Sequence, residues 1–274
     1  MIPAAFDYVR VDSAEAAIAA LAAHGDDAKL LAGGMSLIPL MKFRLATPSV
    51  LVDIGRVRDL SYIRDGGDHI AIGAMTRHRD VETSDLLAAE CGVVRTVAAQ
   101  VGDNQVRHRG TIGGSVAHGD PASDLPAALL ALDATFVAAG ANGTREIAAA
   151  DFFEGFLETA LAEGELLTEI RVPKAGDAGF DYQKFNRRAQ DWAIVGAVTA
   201  TVSGTRRVAL VNMGSTPIRA REVEAALAAG ASFADAAQAA AVGTEPPTDL
   251  NASVEYREHL ARVLVRRSLE AASA

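Results

Sequence analysis

The stretch KLLAGGMSLIPLMKFRL, residues Lys29–Leu45, decides the fold of the first part of this 274-residue chain. An apolar run ends in two adjacent glycines and a serine, after which apolar residues resume. The run before the glycines is typical of a short buried strand, and the residues after them predict a short helix. A further strand is predicted over PSVLVDIG. The order strand, glycine loop, helix, strand indicates a small α/β unit over residues 1–55.

A second stretch, RGTIGGSVAHGDPASDLPAALLAL at Arg109–Leu132, repeats the double glycine followed by a serine. Glycine lacks a Cβ, so it permits positive φ and a close approach of a ligand to the backbone. Successive backbone N–H groups in such turns form a concave set of donors for phosphate oxygens. Two loops of this kind predict that one ligand with two phosphates lies between them, with Gly34 and Gly114 close together. Neither loop has the usual G-x-G-x-x-G or G-x-x-x-x-G-K-[ST] spacing.

The composition excludes several classes of protein. The net charge of −9 argues against nucleic acid as a general partner. No run approaches the roughly 20 apolar residues that a membrane-spanning helix needs, and the N-terminal residues lack the pattern of a secretory signal, so we expect a cytoplasmic protein. Cys91 is the single cysteine, which excludes an internal disulfide and a cysteine-ligated iron–sulfur cluster within this chain.

The segment KAGDAG, Lys174–Gly179, is the best candidate for a linker between two domains, 1–173 and 174–274. Before it, RHRDVETSDLLAAE is interpreted as one helix with Thr76 as its N-cap. After it, FDYQKFNR, AIVGAVTATVSG and RRVALVNMGS predict three strands of an antiparallel sheet. The last part of the chain is predicted to be helical, with the arginines of its final helix, Arg257 among them, mostly on a solvated face.

Two polar residues follow the second double glycine closely. Asp120 and Asp124 lie in HGDPASDLP, where a carboxylate can accept hydrogen bonds from ribose or ribitol hydroxyls. The alternative is that Asp124 caps the helix predicted over DLPAALLAL, and both roles are compatible. His118 has no second histidine at a metal-ligand spacing, so a packed or bracing histidine is expected rather than a ligand.

Together, three motifs resemble the medium, FAD-binding subunit of molybdenum-containing hydroxylases, the family of carbon monoxide dehydrogenase and bacterial xanthine dehydrogenase. The motifs are LAGGMSLIPLMKFRLATPSVLVDIGRV, RHRGTIGGSVAHGDPASDLPAALLALDA and FDYQKFNRRAQDWAIVGAVTA. The resemblance implies an α+β fold of the vanillyl-alcohol-oxidase type, with FAD between subdomains of about 1–55 and 56–173. It also implies a C-terminal domain with a three-stranded antiparallel sheet and a helical bundle.

The resemblance also implies which residues contact FAD. The first glycine segment (Ala32, Gly33, Gly34, Met35, Ser36) and the second glycine segment (Thr111, Ile112, Gly113, Gly114, Ser115) would contact the pyrophosphate. Asp124 matches a residue that holds a sugar or ribitol hydroxyl, and Leu167, Lys184 and Trp192 match positions near the flavin ring. Met35, Ser115 and Trp192 depart from the residues usual in the family, which are glutamine or histidine, asparagine, and tyrosine.

In this family the chain with such motifs is an electron-transfer subunit. The resemblance implies that a large partner subunit carries the molybdenum cofactor and a small one carries two [2Fe-2S] clusters, in a dimer of heterotrimers. Electrons would reach FAD here and pass to an external acceptor, without a catalytic residue or metal in this chain. The alternatives are a self-contained FAD oxidoreductase, for which candidate bases such as His108 and His118 are present but isolated, and a nucleotide-binding module without redox function.

Overall fold

The computed structural model describes residues 1–176 and 178–273, so Asp177 of the predicted linker lies outside the described residues. Its first region contains β1 Asp7–Arg10, α1 Ala14–His24, β2 Ala28–Leu31, α2 Leu37–Lys42 and β3 Val50–Asp53. The strands pair in parallel in the order β1–β3–β2. The β-branched run at the centre packs against Ala17 and Leu21 of α1, which are buried. The α/β unit predicted for residues 1–55 is therefore present.

The second region contains a sheet, several short helices and a small hairpin. Its elements are β4 Ile63–Asp65, β5 His69–Gly73, α3 His78–Glu82, α4 Asp85–Glu90, α5 Gly92–Ala99, α6 Asn104–Arg109, α7 Ile112–His118, α8 Asp124–Ala131, β6 Thr135–Gly140, β7 Gly143–Ala148, α9 Ala149–Phe152, β8 Phe153–Gly155, β9 Glu158–Thr159 and β10 Leu166–Pro173. The sheet is antiparallel in the order β4–β5–β10–β6–β7. On this sheet α4 contacts β4 and α7 contacts β10.

One helix of this region was predicted wrongly. RHRDVETSDLLAAE forms two helices, α3 and α4, because the Ser84 hydroxyl accepts from the Leu87 amide and caps a new helix. Thr76 is not a cap either. Its hydroxyl accepts from the Tyr62 amide at 3.1 Å and donates to the Tyr62 carbonyl at 2.9 Å, which fastens the end of β5 to the chain before β4.

The C-terminal region is a sheet covered by helices. It contains β11 Phe180–Phe185, β12 Val195–Val202, β13 Thr205–Val211, β14 Ile218–Arg219, α10 Arg221–Ala228, α11 Phe233–Ala237 and α12 Val254–Ala271. The three predicted strands are antiparallel neighbours, but the sheet has a fourth strand, β14, so the three-stranded prediction was wrong. β14 has only two residues that pair with β13. A strand this short gives no periodic pattern in the sequence.

The final helix departs from its prediction at one arginine. Arg257 of α12 is fully buried, not solvated. Its guanidinium donates to the Ile194 carbonyl and, at 2.8 Å, to a carboxylate oxygen of Asp249. The charge of Arg257 suggested a solvated position. The burial is possible because the loop before α12 places the Asp249 carboxylate beside the buried face of the helix.

The second and C-terminal regions share one hydrophobic core. Every residue of α8 is buried, and the same core contains Val198 and Ala200 of β12 and Ala209 and Val211 of β13. α8 therefore lies between the two regions rather than on the surface of the first. Within residues 1–176 and 178–273, no helix combines the length and apolar character needed to cross a bilayer.

Candidate functional site

The first glycine segment, Ala32–Ser36, leaves the carboxyl end of the parallel strand β2 and leads into α2. Gly34 has φ of +76°, a conformation that favours glycine. In the part of the chain that the structure describes, the amides of residues 33–36 donate to no protein acceptor. The Ser36 hydroxyl likewise caps no helix. Four successive amides without protein partners form a donor set suited to an anion.

The second glycine segment, Thr111–Ser115, is not the loop that the sequence predicted. Thr111 is the N-cap of α7, and its hydroxyl accepts from the Gly114 amide at 3.1 Å. The amides of Ile112 and Gly113 donate to the Thr76 and Ala74 carbonyls, at 3.0 and 2.9 Å. These donors are therefore used inside the protein, and the segment is a helix start packed on β5.

Close packing explains the glycine at position 113. A Cβ there would lie 2.6 Å from the Ala74 carbonyl oxygen, closer than any side chain tolerates. The glycine is needed for the approach of α7 to the sheet, not for a positive φ. The predicted pair of equivalent phosphate loops is thus one open amide segment and one packed helix start.

The two glycine segments lie against each other, as the sequence predicted. A Cβ on Gly33 would lie 2.8 Å from the Arg109 carbonyl carbon and 2.9 Å from Gly110 Cα, and a Cβ on Gly114 would lie 3.9 Å from the Ala32 side chain. The amides of the first segment and the first turn of α7 thus belong to one surface. At Gly33 and Gly114, the absence of a Cβ allows the two segments to approach this closely.

Asp124 and Lys184 form a buried pair that joins α8 to β11. Lys184 Nζ lies 2.8 Å from Asp124 Oδ2 and 2.9 Å from the Gln100 carbonyl oxygen, and the Tyr182 hydroxyl donates to the other Asp124 oxygen. Both side chains of the pair are at most 4% exposed. Burial raises the pKa of the Asp124 carboxyl, and the Lys184 ammonium opposes that shift. Asp124 is the first residue of α8 after the N-cap Ser123, so the capping alternative was wrong in position.

Comparison with known proteins identifies the family. Residues 4–175 match the FAD binding domain in molybdopterin dehydrogenase, and residues 180–272 match the CO dehydrogenase flavoprotein C-terminal domain. This chain belongs to the flavoprotein family of the molybdopterin dehydrogenases. The family that the motifs predicted is therefore confirmed, and the chain carries a FAD-binding domain.

Relatives of this flavoprotein match along its whole length. The carbon monoxide dehydrogenase medium chain of Afipia carboxidovorans is 41% identical, covering 100% of this chain and 99% of that protein. The 6-hydroxypseudooxynicotine dehydrogenase complex subunit alpha of Paenarthrobacter nicotinovorans is also 41% identical, covering 98% and 95%. A carbon monoxide dehydrogenase structure from Hydrogenophaga pseudoflava, which lacks the Mo-pyranopterin moiety, superposes with a TM-score of 0.96 at 42% identity, covering 100% and 99%.

The remaining predicted residues of this flavoprotein lie at two further places. Leu167 is buried in β10 beside a bulge, and the next carbonyl, that of Thr168, accepts from the Ala74 amide at 2.9 Å. Since Ala74 also accepts from Gly113, Leu167 is connected to the second glycine segment through the sheet. Trp192 lies on the chain between β11 and β12, with 62% of its surface exposed. It borders a depression of about 390 Å³ that is also lined by Ala122 and Arg257.

Sequence reasoning missed residues that hold this flavoprotein's glycine segments in place. Arg77 pairs with Thr111 in an isolated antiparallel bridge, and its guanidinium donates to the Arg109 carbonyl. His78 is 4% exposed; burial and the charges of Arg107 and Arg77 lower its pKa to about 4. No periodic pattern marks a bridge of one residue pair between distant parts of a chain, so only the structure reveals these contacts.

Proposed function

We propose that this chain is the FAD-carrying electron-transfer subunit of a heterotrimeric molybdenum hydroxylase. One observation carries the proposal: the open amides of residues 33–36 lie against the capped first turn of α7, in a chain whose family is defined by FAD binding. A diphosphate needs several aimed donors, and an acidic protein of net charge −9 offers no favourable overall field. The amide segment meets that need locally.

The residues present fit FAD in distinct ways. The amides of Gly33, Gly34, Met35 and Ser36 and the Ser36 hydroxyl would donate to the diphosphate, while Thr111–Ser115 would form the wall beside it. Asp124 would accept from a ribityl or sugar hydroxyl with the lone pairs that Lys184 and Tyr182 leave free, because each carboxylate oxygen can accept two hydrogen bonds. Leu167, Lys184 and Trp192 would border the ring.

FAD, when bound, supplies the redox chemistry of this subunit, and the protein supplies binding, orientation and the electrostatic surroundings. The chain's own residues have three tasks. Backbone amides fix the diphosphate, the buried Asp124–Lys184 pair holds α8 and β11 in a fixed arrangement, and apolar residues such as Leu167 keep water from the ring. A relay of electrons requires no general base from this chain.

The substrate is chosen outside this chain. Two relatives with equal identity of 41% are named for different reactions, carbon monoxide dehydrogenase and 6-hydroxypseudooxynicotine dehydrogenase. The molybdenum cofactor and the [2Fe-2S] clusters would therefore belong to a large and a small partner subunit. The same proposal includes a dimer of heterotrimers, a cytoplasmic location and the vanillyl-alcohol-oxidase type of fold, which rest on the resemblance of the motifs.

Expression of the chain alone and together with the large and small partner subunits tests the proposal. We expect a yellow protein whose flavin is reduced by substrate only in the presence of both partners. Rapid oxidation of a substrate by the solitary chain would favour a self-contained oxidoreductase instead. A colourless chain that binds no flavin, alone or in the complex, would contradict both functions.

A further inference from the structure

We infer that Arg77 and Arg109 form a cationic clamp for the FAD diphosphate, an inference that rests on the proposed flavin function. The clamp supplies the formal positive charge that the amides of the first glycine segment lack. It would make flavin binding sensitive to salt and would favour the diphosphate-bearing flavin over one without a phosphate. Neither arginine belongs to the motif residues that the family resemblance assigned to FAD.

Backbone geometry brings the two arginines together. Arg77 and Thr111 form an isolated antiparallel bridge. Flanking hydrogen bonds run from the His78 amide to Gly110 and from the Ile112 amide to Thr76, each 3.0 Å long. The bridging pair is thus the non-hydrogen-bonded type, whose side chains lie close together on one face. Arg109 precedes Thr111 by two residues, and Arg77 donates to its carbonyl.

The same carbonyl connects the clamp to the amide segment. The Arg109 carbonyl group contacts Gly33, where a Cβ would lie 2.8 Å from its carbon. Arg77 therefore hydrogen-bonds to the oxygen of the peptide group against which the first glycine segment packs. An anion on the amides of residues 33–36 would therefore lie beside a peptide group to which the Arg77 guanidinium is bound.

Neither charge of the clamp has a close ion-pair partner in the described part of the chain. Arg77 is half-buried, and burial followed by the neighbouring charge of Arg109 lowers its pKa. In residues 1–176 and 178–273, neither guanidinium forms an ion pair within 4.0 Å. The carboxylates of Asp80 and Asp53 oppose that lowering of the pKa, but neither forms a close ion pair with Arg77 in the described residues. Two neighbouring like charges, one of them half-buried, are stabilised when an anion binds between them.

Equilibrium titrations of the flavin-free full chain test the clamp. FAD and, separately, inorganic pyrophosphate are titrated into the wild type, R77Q and R109Q at low and high ionic strength. We expect each substitution to weaken both ligands about tenfold at low salt, because one charge-assisted contact is lost. The difference should shrink at high salt through screening. The exposed Arg109 side chain has no protein partner in the described residues, so R109Q should fold normally.

Two matched variants separate charge from shape. R109K keeps the charge and should bind nearly as the wild type does. R79Q removes an arginine from the same helix as His78, where it pairs with Glu82 at 3.2 Å, and should leave both affinities unchanged. Riboflavin, which has no phosphate, should bind the wild type and R109Q equally.

Each outcome decides something different. If R77Q and R109Q bind FAD and pyrophosphate as the wild type does, the clamp is overturned while the flavin function stands. If pyrophosphate binding depends on the two arginines but FAD does not bind, the flavin function falls, and the arginines bind a diphosphate other than that of FAD. If the wild type binds neither ligand, both are overturned.

Discussion

Lys184 Nζ lies 2.8 Å from Asp124 Oδ2, and the pair joins the first residue of a FAD-domain helix to the first strand of the C-terminal region. At the other end of the same helix, Arg219 donates to the Leu130 carbonyl at 3.1 Å and to Asp133 at 2.6 Å. Helix α8 is therefore held at both ends by cationic side chains of the C-terminal region. This arrangement makes the two regions depend on each other.

Replacing Lys184 with methionine should lower the free energy of unfolding by about 3–5 kcal/mol, because Asp124 is left buried without its counter-charge. Denaturant unfolding of the full chain measures the loss. The double variant D124N/K184M removes the unpaired charge and should recover a large part of that stability.

An exposed pair provides the control for this prediction. Arg266 and Glu270 lie 3.9 Å apart with 47% and 55% of their side chains exposed. R266A should therefore change stability by less than about 1 kcal/mol. Equal effects of K184M and R266A would show that the buried pair does not hold the two regions together.

Gly33→Ala should lower stability and flavin content together. Its Cβ would meet the peptide group that joins Arg109 to Gly110, and backbone cannot yield as a flexible side chain does. We expect a loss of about 1–3 kcal/mol, typical of overpacking, with less FAD per chain by absorbance after purification. Full flavin occupancy and an unchanged Tm would mean that the two glycine segments do not need this close contact.

Ser36→Ala, three residues along the same segment, should weaken FAD binding without lowering stability. The Ser36 hydroxyl has no partner in the described residues, so its loss should leave the Tm unchanged. FAD affinity should fall several-fold, because one neutral hydrogen bond to the ligand is worth about 0.5–1.5 kcal/mol. A titration of apoprotein measures the affinity; an S36A variant that binds FAD as the wild type does would remove Ser36 from the flavin site.

The sequence predicted the parts of the fold that repeat a pattern and missed the parts that depend on single long-range contacts. The parallel unit containing β2 and α2 followed from periodicity, and the closeness of the glycine segments followed from the chemistry of one shared ligand. The helical state of Gly113–Gly114 did not, because glycine is a poor helix former and only the Thr111 cap and the contact with Ala74 make it helical here. The ion pair of Asp124 and Lys184 joins residues 60 positions apart, and no local pattern encodes such a contact.

Because of His78, the free energy of unfolding should decrease at acidic pH. Its pKa is lowered from 6.5 to about 4 in the folded protein, so the unfolded chain binds the extra proton between these values. The stabilising contribution is complete above pH 6.5 and is lost as the pH falls toward 4. Near pH 5 the expected loss is about 2 kcal/mol relative to neutral pH.

Denaturant unfolding near pH 7 and near pH 5 measures this difference, and His78→Gln provides the control. H78Q cannot titrate, so its stability should change less between the two pH values than that of the wild type. Identical pH dependence in both proteins would assign the acid sensitivity to other groups.

Trp192 is the single tryptophan of the chain, so its emission reports on the surroundings of one side chain. If it borders the flavin, FAD binding should quench that emission strongly, because the flavin absorbs where the indole emits. Stopped-flow measurements of flavin reoxidation should also differ in W192A. The exposed side chain contributes little to packing, so W192A should keep its Tm. It should also keep its affinity for pyrophosphate, because Trp192 is not among the groups proposed to hold the diphosphate. If FAD binds without reducing the tryptophan emission, and flavin reoxidation is unchanged in W192A, Trp192 lies away from the flavin ring. The depression that it borders would then have no part in electron transfer.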